Sequence, residues 1–488
     1  MKTIHALRIA LGCLIGCQPM LSGATSFSDQ KTRIHVIESN ETIAFNADSI
    51  LNKALVTDDY IRLIKHPDYW NNTTVGGKSR PSNIWTRGVF YEGHMALYNI
   101  HNDTTLYNYA FNWAKSHNWE MAYSKNTTTD ADNQCCGQTY LELYKLDPKN
   151  ASIKTIKSCL DYCIHTHNNR YWTWIDAIQM SMPAYALLGQ VTGDTTYFNY
   201  MYRSYRYSRD TLDNTGLFNL ADGFWWRDKN FNTPYVNSNG KPVYWSRGNG
   251  WVYAALTRVL NTISQTEPHY QTYLNDYLTM SASLVACQRA DGFWNPSLAD
   301  SMEYGGKETS GTSLFVYGIA WGLNKGLLDR ASYLSSVKKG WTAISQDAIH
   351  GNGFLGWMQG TGDDPSDSQP LSYDKVPDFE DYGAGCVLLA AAESYKLART
   401  LEQEDSVRNA IDQNGMGQLK LLTLNGRIQL CQAGIASVSI FDAAGICRYQ
   451  ERLTGDRVHT IETANWPSGV YLVRIESNKQ ITVLKFIN

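Results

Sequence analysis

From about residue 45 to about residue 400, apolar positions recur at three- and four-residue spacing. Leu256, Val259, Leu260 and Ile263 form one such set, and Leu388, Leu389, Ala392 and Tyr395 another. This is the repeat of helices with one buried face. Two helix starts echo each other, Asn102–Tyr109 (NDTTLYNY) and Gly193–Tyr200 (GDTTYFNY), each with Asp or Thr where a helix N-terminus needs a cap. They lie about 90 residues apart, roughly twice a helical hairpin with its loops. About 350 residues hold roughly six hairpins, so the pattern predicts an all-α (α/α)6 barrel over 40–401. A solenoid of hairpins is the alternative; the long interhelical loops favour the barrel, where they gather at one mouth. The polar run Glu402–Gly417 reads as a linker over 402–417. Beyond it the period changes to two, in Leu419–Leu424, Ile428–Leu430, Val438–Phe441, Val470–Ile475 and Ile481–Ile487. That predicts a small all-β sandwich over 418–488, with Asn425-Gly426 as a hairpin turn.

Composition narrows the function. The 488 residues carry 43 Lys+Arg against 46 Asp+Glu, a net charge of −3, and a nucleic-acid surface would show a basic excess. Aromatic residues make up 12% of the chain, with 15 Trp, 31 Tyr and 14 Phe. A large core accounts for many of them; flat rings that cover sugar faces are the sharper reading. Residues 1–24 read as an export signal, with Lys2 and Arg8 ahead of a short apolar stretch and Ser22-Gly23-Ala24 as a small-residue cleavage site. Leu14-Ile15-Gly16-Cys17 also resembles a lipobox, which would make Cys17 a lipidated N-terminus. No segment is apolar over the ~18 residues that a membrane span needs. The eight cysteines beyond the signal show no CxxC pair and no His-rich ligand spacing, so no metal and no cofactor are expected, and buried thiols are the plain reading.

Three blocks carry candidate chemistry. In Trp172–Met180 (WTWIDAIQM) one carboxylate, Asp176, sits among indoles and a thioether. Apolar burial raises a carboxyl pKa, as a general acid near neutral pH requires; helix capping is the structural reading. In Asp130–Tyr140 (DADNQCCGQTY) a second carboxylate precedes a helix, and spacing leaves open whether Asp130 or Asp132 faces inward. In Tyr244–Trp251 (YWSRGNGW) Trp245 and Trp251 flank Arg247, a guanidinium suited to a sugar carboxylate or to plain stacking on the indole. Weaker candidates are Trp85 in Trp85–His94, Arg227 beside Asp228, the helix start Glu308–Ser313 and the pre-helical run Asp378–Gly383. No G-x-S-x-G elbow supports a serine triad.

In this order, the blocks RGVFYEGH, DNQCCGQTYLELY, WIDAIQMSMP, WSRGNGW, ETSGTSLFVYGIAWG and FEDYGAG resemble glycoside hydrolase family 105, the unsaturated rhamnogalacturonyl hydrolases, with family 88 as a relative. The resemblance implies an (α/α)6 barrel that removes the 4,5-unsaturated uronate which a polysaccharide lyase leaves at a non-reducing end. It makes Asp176 the general acid/base and Asp132 the second carboxylate. Trp174, Trp245 and Trp251 would line the site, with Arg247 near the uronate carboxylate and Trp85 and Arg227 as further substrate contacts. Two departures leave the linkage open: Gly216–Asp222 stands where many members carry an aromatic-flanked His, and Asn133-Gln134 where some carry Asp-His. The C-terminal run Trp466–Ile475 (WPSGVYLVRI) with Val483–Ile487 (VLKFI) is similar to the sorting domain of the type IX secretion system. That implies a Bacteroidetes-type source, the type IX machinery as a partner, and a cell-surface or extracellular location. A conventional inverting glycosidase using Asp132 and Asp176, a sugar epimerase and a non-catalytic glycan-binding protein are the other readings.

Overall fold

The computed structural model describes residues 45–375, 378–413, 420–424, 427–432, 436–454, 457–477 and 480–488. The expected signal, the Cys17 lipobox and the Asn425-Gly426 turn lie outside them. The helical part runs α1 (Ala47–Asp59), α2 (Trp85–His101), α3 (Thr104–Ser116), α4 (Ala131–Gln134), α5 (Cys136–Leu146), α6 (Lys154–His165) and α7 (Asp176–Thr192). It continues through α8 (Thr196–Arg206), α9 (Ser246–Thr262), α10 (Tyr270–Ala286), α11 (Ser301–Tyr304), α12 (Thr309–Asn324), α13 (Arg330–Thr342) and α14 (Asp381–Gln413). A short hairpin, β1 (Thr73–Val75) and β2 (Lys78–Arg80), precedes α2, and a second, β3 (Phe218–Asn219) and β4 (Phe224–Trp225), precedes α9.

Six helices close a ring: α2 packs on α5, α5 on α7, α7 on α9, α9 on α12, α12 on α14, and α14 back on α2. Helices α1, α3, α8, α10 and α13 each pack on one of these. This is the alternation of inner and outer helices expected of an (α/α)6 barrel. Asp103 caps α3 by accepting from Thr105 N at 2.8 Å, and Asp194 caps the start of α8 by accepting from Thr196 N at 2.9 Å, so the echoed motifs do mark helix starts. Inner helices are buried all round: every residue of α12 from Thr309 to Leu323 is buried, and every residue of α7 from Ala177 to Gly189. Such helices have no polar face for a periodicity argument to find.

Close packing on the barrel axis explains two sequence oddities. Pro183 lies inside α7 and has no N–H for the carbonyl of Gln179; Gln138 Nε2 of α5 donates to that oxygen at 2.8 Å instead. Gly93 of α2 and Gly385 of α14 meet where a Cβ on either would run into the backbone of the other helix. The same two helices are joined by Arg87 Nε, 2.6 Å from Asp381 Oδ2, with both side chains no more than 1% exposed.

Two corrections concern the chain's second half. The polar run from Glu402 is not a linker at its start, because α14 continues to Gln413. Its residues are mostly good helix formers, and Glu404 pairs with Arg330 at 2.6 Å while Glu402 accepts from Ala47 N at 2.6 Å. The C-terminal part holds β5 (Lys420–Leu424), β6 (Arg427–Gln432), β7 (Ala436–Asp442), β8 (Cys447–Leu453), β9 (Arg457–Glu462), β10 (Val470–Ser477) and β11 (Gln480–Ile487). Strands β8 and β9 escape the period-two reading because they are polar, and β8 is an edge strand exposed along most of its length. The strands form two antiparallel sheets, ordered β5-β6-β9 and β11-β10-β7-β8. Ile428, Leu430 and Ile461 of the first share one apolar cluster with Val438, Ile440, Val473 and Phe486 of the second. Among the described residues no helix is long and apolar enough to cross a membrane.

Gly385→Ala forces α2 and α14 apart, and the expected cost is about 1–3 kcal/mol of folding free energy. Urea or thermal denaturation against the wild type measures it; unchanged stability would show that the two helices can separate freely.

Candidate active site

Because the inner helices share one direction, their N-termini meet at one mouth. Trp85 at the start of α2 lies 5.1 Å from the Tyr382 ring of α14 and 6.4 Å from the Trp251 ring of α9, between centroids. Helix N-termini carry partial positive charge, so the mouth is suited to an anionic ligand.

Asp176 is the first residue of α7 and its carboxylate does not cap the helix. It is held over the mouth by a local pairing: Ile175 N donates to Arg227 O at 3.0 Å, and Trp174 bridges to Asp228. This pairing brings Arg227 Nε to 3.4 Å from Asp176 Oδ2, while Arg227 Nη1 binds Asp228 Oδ2 at 2.6 Å and lies 3.8 Å from Asp363. The Asp176 side chain is 13% exposed. Burial raises its pKa against the opposing pull of Arg227 and Arg247.

The structure settles which carboxylate of the second block turns inward. Asp130 is exposed, and its Oδ1 accepts from Asp132 N at 2.9 Å as the cap of α4. Asp132 is half-buried, and its pKa is pushed up to about 7, first by burial and then by the negative charges of Asp130 and Asp176. The charge of Asp176 is thus one of the causes that raise Asp132, and both carboxyls are shifted towards the protonated form.

The tryptophans divide into wall and rim. Trp245 and Trp251 are each 1% exposed and stand behind the mouth. Trp245 Nε1 donates to Gln359 Oε1 at 2.8 Å, and Trp251 backs Trp85. Trp174 and Trp85 are half-buried and reach the surface of the cleft. Trp172 belongs to the core, 2% exposed and packed against Tyr185. Arg247 is 1% exposed, 4.5 Å from the Trp245 ring centroid and 5.1 Å from that of Tyr382. Its Nη1 donates to Gln359 O at 3.2 Å and Tyr382 Oη at 3.0 Å, and its Nη2 to Gly360 O at 2.7 Å. Arg247 thus ties α9 to α14 and to the segment at 359–360. At Glu308–Ser313 the cap of α12 is the Glu308 carboxylate, which accepts from Ser310 N at 3.0 Å and Gly311 N at 2.6 Å, rather than a Ser or Thr hydroxyl.

Two residues at the mouth carry no sequence signal. Gln359 is 0% exposed and serves Trp245 from more than a hundred residues away. Arg80 ends β2 in a polar loop, and its guanidinium lies 4.3 Å from the Phe379 ring centroid and 5.6 Å from that of Trp85. Only the aromatic run around Phe379 hints that the loop is covered by rings. A separate cavity of about 430 Å³, lined by Lys65, His66, Thr73, Glu380 and Asp381 among others, includes neither Asp132 nor Asp176.

With this geometry in place, comparison with known proteins is informative. The model described as Glycosyl Hydrolase Family 88 matches residues 60–398, and the one described as Secretion system C-terminal sorting domain matches 422–488. An unsaturated 3S-rhamnoglycuronyl hydrolase from Alteromonas sp. (strain LOR) is 27% identical over 420 residues, covering 80% of this chain and 96% of the relative. A protein of the same name from Formosa agariphila is 30% identical over 332 residues, covering 64% and 84%. The solved structure of a glycosyl hydrolase family 88 protein from Bacteroides vulgatus is similar with a TM-score of 0.65 at 28% identity, over 72% of this chain and 99% of that one.

Arg247→Met takes the Arg247 donor from Gly360 O and leaves Gln359 O with only the Tyr382 hydroxyl, so stability should fall by about 1–3 kcal/mol. Arg247→Lys should recover only part of it, since an ammonium cannot span all three acceptors. Chemical denaturation of both variants measures this, and a wild-type midpoint for Arg247→Met would rule out the tying role.

Proposed function

The chain belongs to Glycosyl Hydrolase Family 88, and we propose that it removes a 4,5-unsaturated uronic acid from the non-reducing end of lyase-generated oligosaccharides. The observation that carries the mechanism is Asp176 at the start of α7, largely buried at the mouth and 3.4 Å from Arg227, where burial raises its pKa. Asp176 gives its proton to C4 of the enol-ether double bond. Positive charge develops at C5 and is shared with the ring oxygen. Water adds at C5 as the Asp176 carboxylate takes its proton, and the hydrated sugar opens and releases its neighbour. Asp132 orients the water or a sugar hydroxyl. One proton donor that becomes a base is enough, unlike the two separate carboxylate roles of ordinary glycoside hydrolysis.

Trp174, Trp85 and Arg227 are assigned to the substrate cleft. Trp245, Trp251 and Arg247 shape its wall, with Arg247 contributing charge near the uronate carboxylate. A uronate linked to rhamnose is the preferred substrate, because both relatives bear the name unsaturated 3S-rhamnoglycuronyl hydrolase; the finer placement in family 105 is part of this proposal. The C-terminal domain, whose two sheets share a core, is assigned as a β-sandwich sorting domain for type IX export to the cell surface or medium, which the match over 422–488 supports.

The unsaturated uronate absorbs in the ultraviolet. Wild-type protein should abolish the absorbance of unsaturated rhamnose-linked uronyl disaccharides, and Asp176→Asn should slow this by about 10²–10⁴-fold. A lyase would raise the absorbance, and a conventional glycosidase would act on saturated oligosaccharides. Absorbance unchanged across pectin-lyase and glycosaminoglycan-lyase products and the rhamnose-linked disaccharides would refute the assignment.

The pH dependence follows from the raised carboxyls. Activity requires the protonated form, so kcat/KM should fall as pH rises through about 7, the value to which Asp132 is raised. Asp132→Asn removes the carboxyl that is raised to about 7. The residual activity should therefore lose its alkaline limb at a lower pH than the wild type does. A limb that stays in place or moves up would separate the two carboxylates.

A further inference from the structure

Three arginines reach the mouth, and their charges are differently committed. Arg227 is neutralised by Asp176, Asp228 and Asp363. Arg247 is buried and spends both Nη atoms on carbonyls and a phenol. Arg80 forms no ion pair among the described residues; its one hydrogen bond is a long one, from Nη2 to Thr361 Oγ1 at 3.4 Å. Among the described residues its Nη1 is buried with no partner, a costly state for a charged donor. The guanidinium nevertheless cannot wander, because the rings of Phe379 and Trp85 hold it. The backbone is fixed too. Gly76 and Gly77, both at positive φ, make the two-residue turn of the hairpin, and Arg80 is the cross-strand partner of Thr73. Thr73 Oγ1 in turn donates to Asp381 Oδ2 at 2.9 Å and accepts from Arg87 Nη2 at 2.8 Å. Trp85 in turn packs on Trp251 and Tyr382 at the mouth, so the group stands on the cleft side of the hairpin.

We propose that Arg80, clamped between Trp85 and Phe379, binds an oxyanion substituent of the saccharide, a ring carboxylate or a sulfate ester, beside Asp132. A preformed cation with free N–H groups and a planar fork suits either group through paired hydrogen bonds. The inference rests on the functional reading above for its substrate, but not for its binding chemistry.

The test compares wild type, Arg80→Gln and Arg80→Lys in two assays. Thermal-shift or calorimetric titration with glucuronate and with a sulfated rhamnoside needs no turnover. The wild type should bind at least one, Arg80→Gln about tenfold or more weakly, about 1.4 kcal/mol, and Arg80→Lys in between. Turnover is then followed on unsaturated disaccharides that are sulfated, unsulfated, or unsulfated with the carboxylate methylated. A loss in Arg80→Gln, carried mainly by KM and confined to the sulfated substrate, assigns the site to sulfate. An equal loss on both free-acid substrates that disappears on the methyl ester assigns it to the carboxylate. Arg80→Gln binding both anions as the wild type does, or losing the same factor on all three substrates, overturns the proposal. Wild-type protein that hydrolyses none of the three but binds the anion through Arg80 would overturn the functional reading and leave this one standing.

Discussion

The contact between α2 and α14 is the constraint on which the rest of the molecule depends. These are the first and last inner helices, and their meeting turns a row of hairpins into a closed barrel. Two features hold it. Gly93 and Gly385 let the backbones touch, and Arg87 pairs with Asp381 in full burial. Burying an ion pair is unfavourable unless its remaining donors and acceptors are satisfied. Here the carboxylate side is satisfied: Asp381 also accepts from Thr73 Oγ1 at 2.9 Å and lies 3.1 Å from His66 Nε2, and its carboxyl is held well below the usual carboxylate range, while among the described residues Arg87 Nη1 stays buried without a partner. The mouth is registered to this pair. Trp85 lies two residues before Arg87, Tyr382 follows Asp381, and the Thr73 hairpin carries Arg80. Without closure, no local propensity would bring these groups near Asp176.

The closed barrel also sets the acid–base chemistry. A carboxylate at a helix N-terminus would ordinarily be stabilised in its charged form by the helix dipole. Asp176 begins α7, yet its pKa is raised, so loss of solvent outweighs the dipole and the two nearby arginines together. Asp132 is raised by burial first, and then by the charges of Asp130 and Asp176.

Much of this was legible in the sequence. The helical repeat and the echoed caps point to helices found at the expected residues, and the carboxylate of WIDAIQM has the raised pKa that its apolar neighbours imply. What was hidden was hidden for definite reasons. Asp130 and Asp132 are chemically identical and two residues apart, and only the geometry of a helix start makes the first a cap and frees the second. The Trp-Arg-Trp block looks like a substrate clamp, yet Trp245 and Arg247 are spent mostly on Gln359, Gly360 and Tyr382, partners more than a hundred residues away. The polar run after Glu402 lacks apolar periodicity because that stretch of α14 pairs through charges such as Glu404–Arg330. Strands β8 and β9 lack it because edge and solvent-facing strands need no alternating apolar face.

The small net charge of −3 is compatible with an acidic substrate, because recognition of a single anion depends on the local field and not on the sum. A broad basic surface raises encounter rates with polyanions, whereas the end of an oligosaccharide presents one or two anionic groups to a cleft. There the field comes from helix N-termini, from Arg227, whose charge is answered by carboxylates, and from Arg247 and Arg80, which pair with no carboxylate among the described residues. An arginine answered by carboxylates orients and shapes; it adds little net attraction. Of the other two, Arg247 spends its Nη atoms on carbonyls and a phenol, whereas Arg80 keeps an unshared Nη1. By this argument the residue with the least sequence context at the mouth is the one that keeps a donor for an anionic sugar.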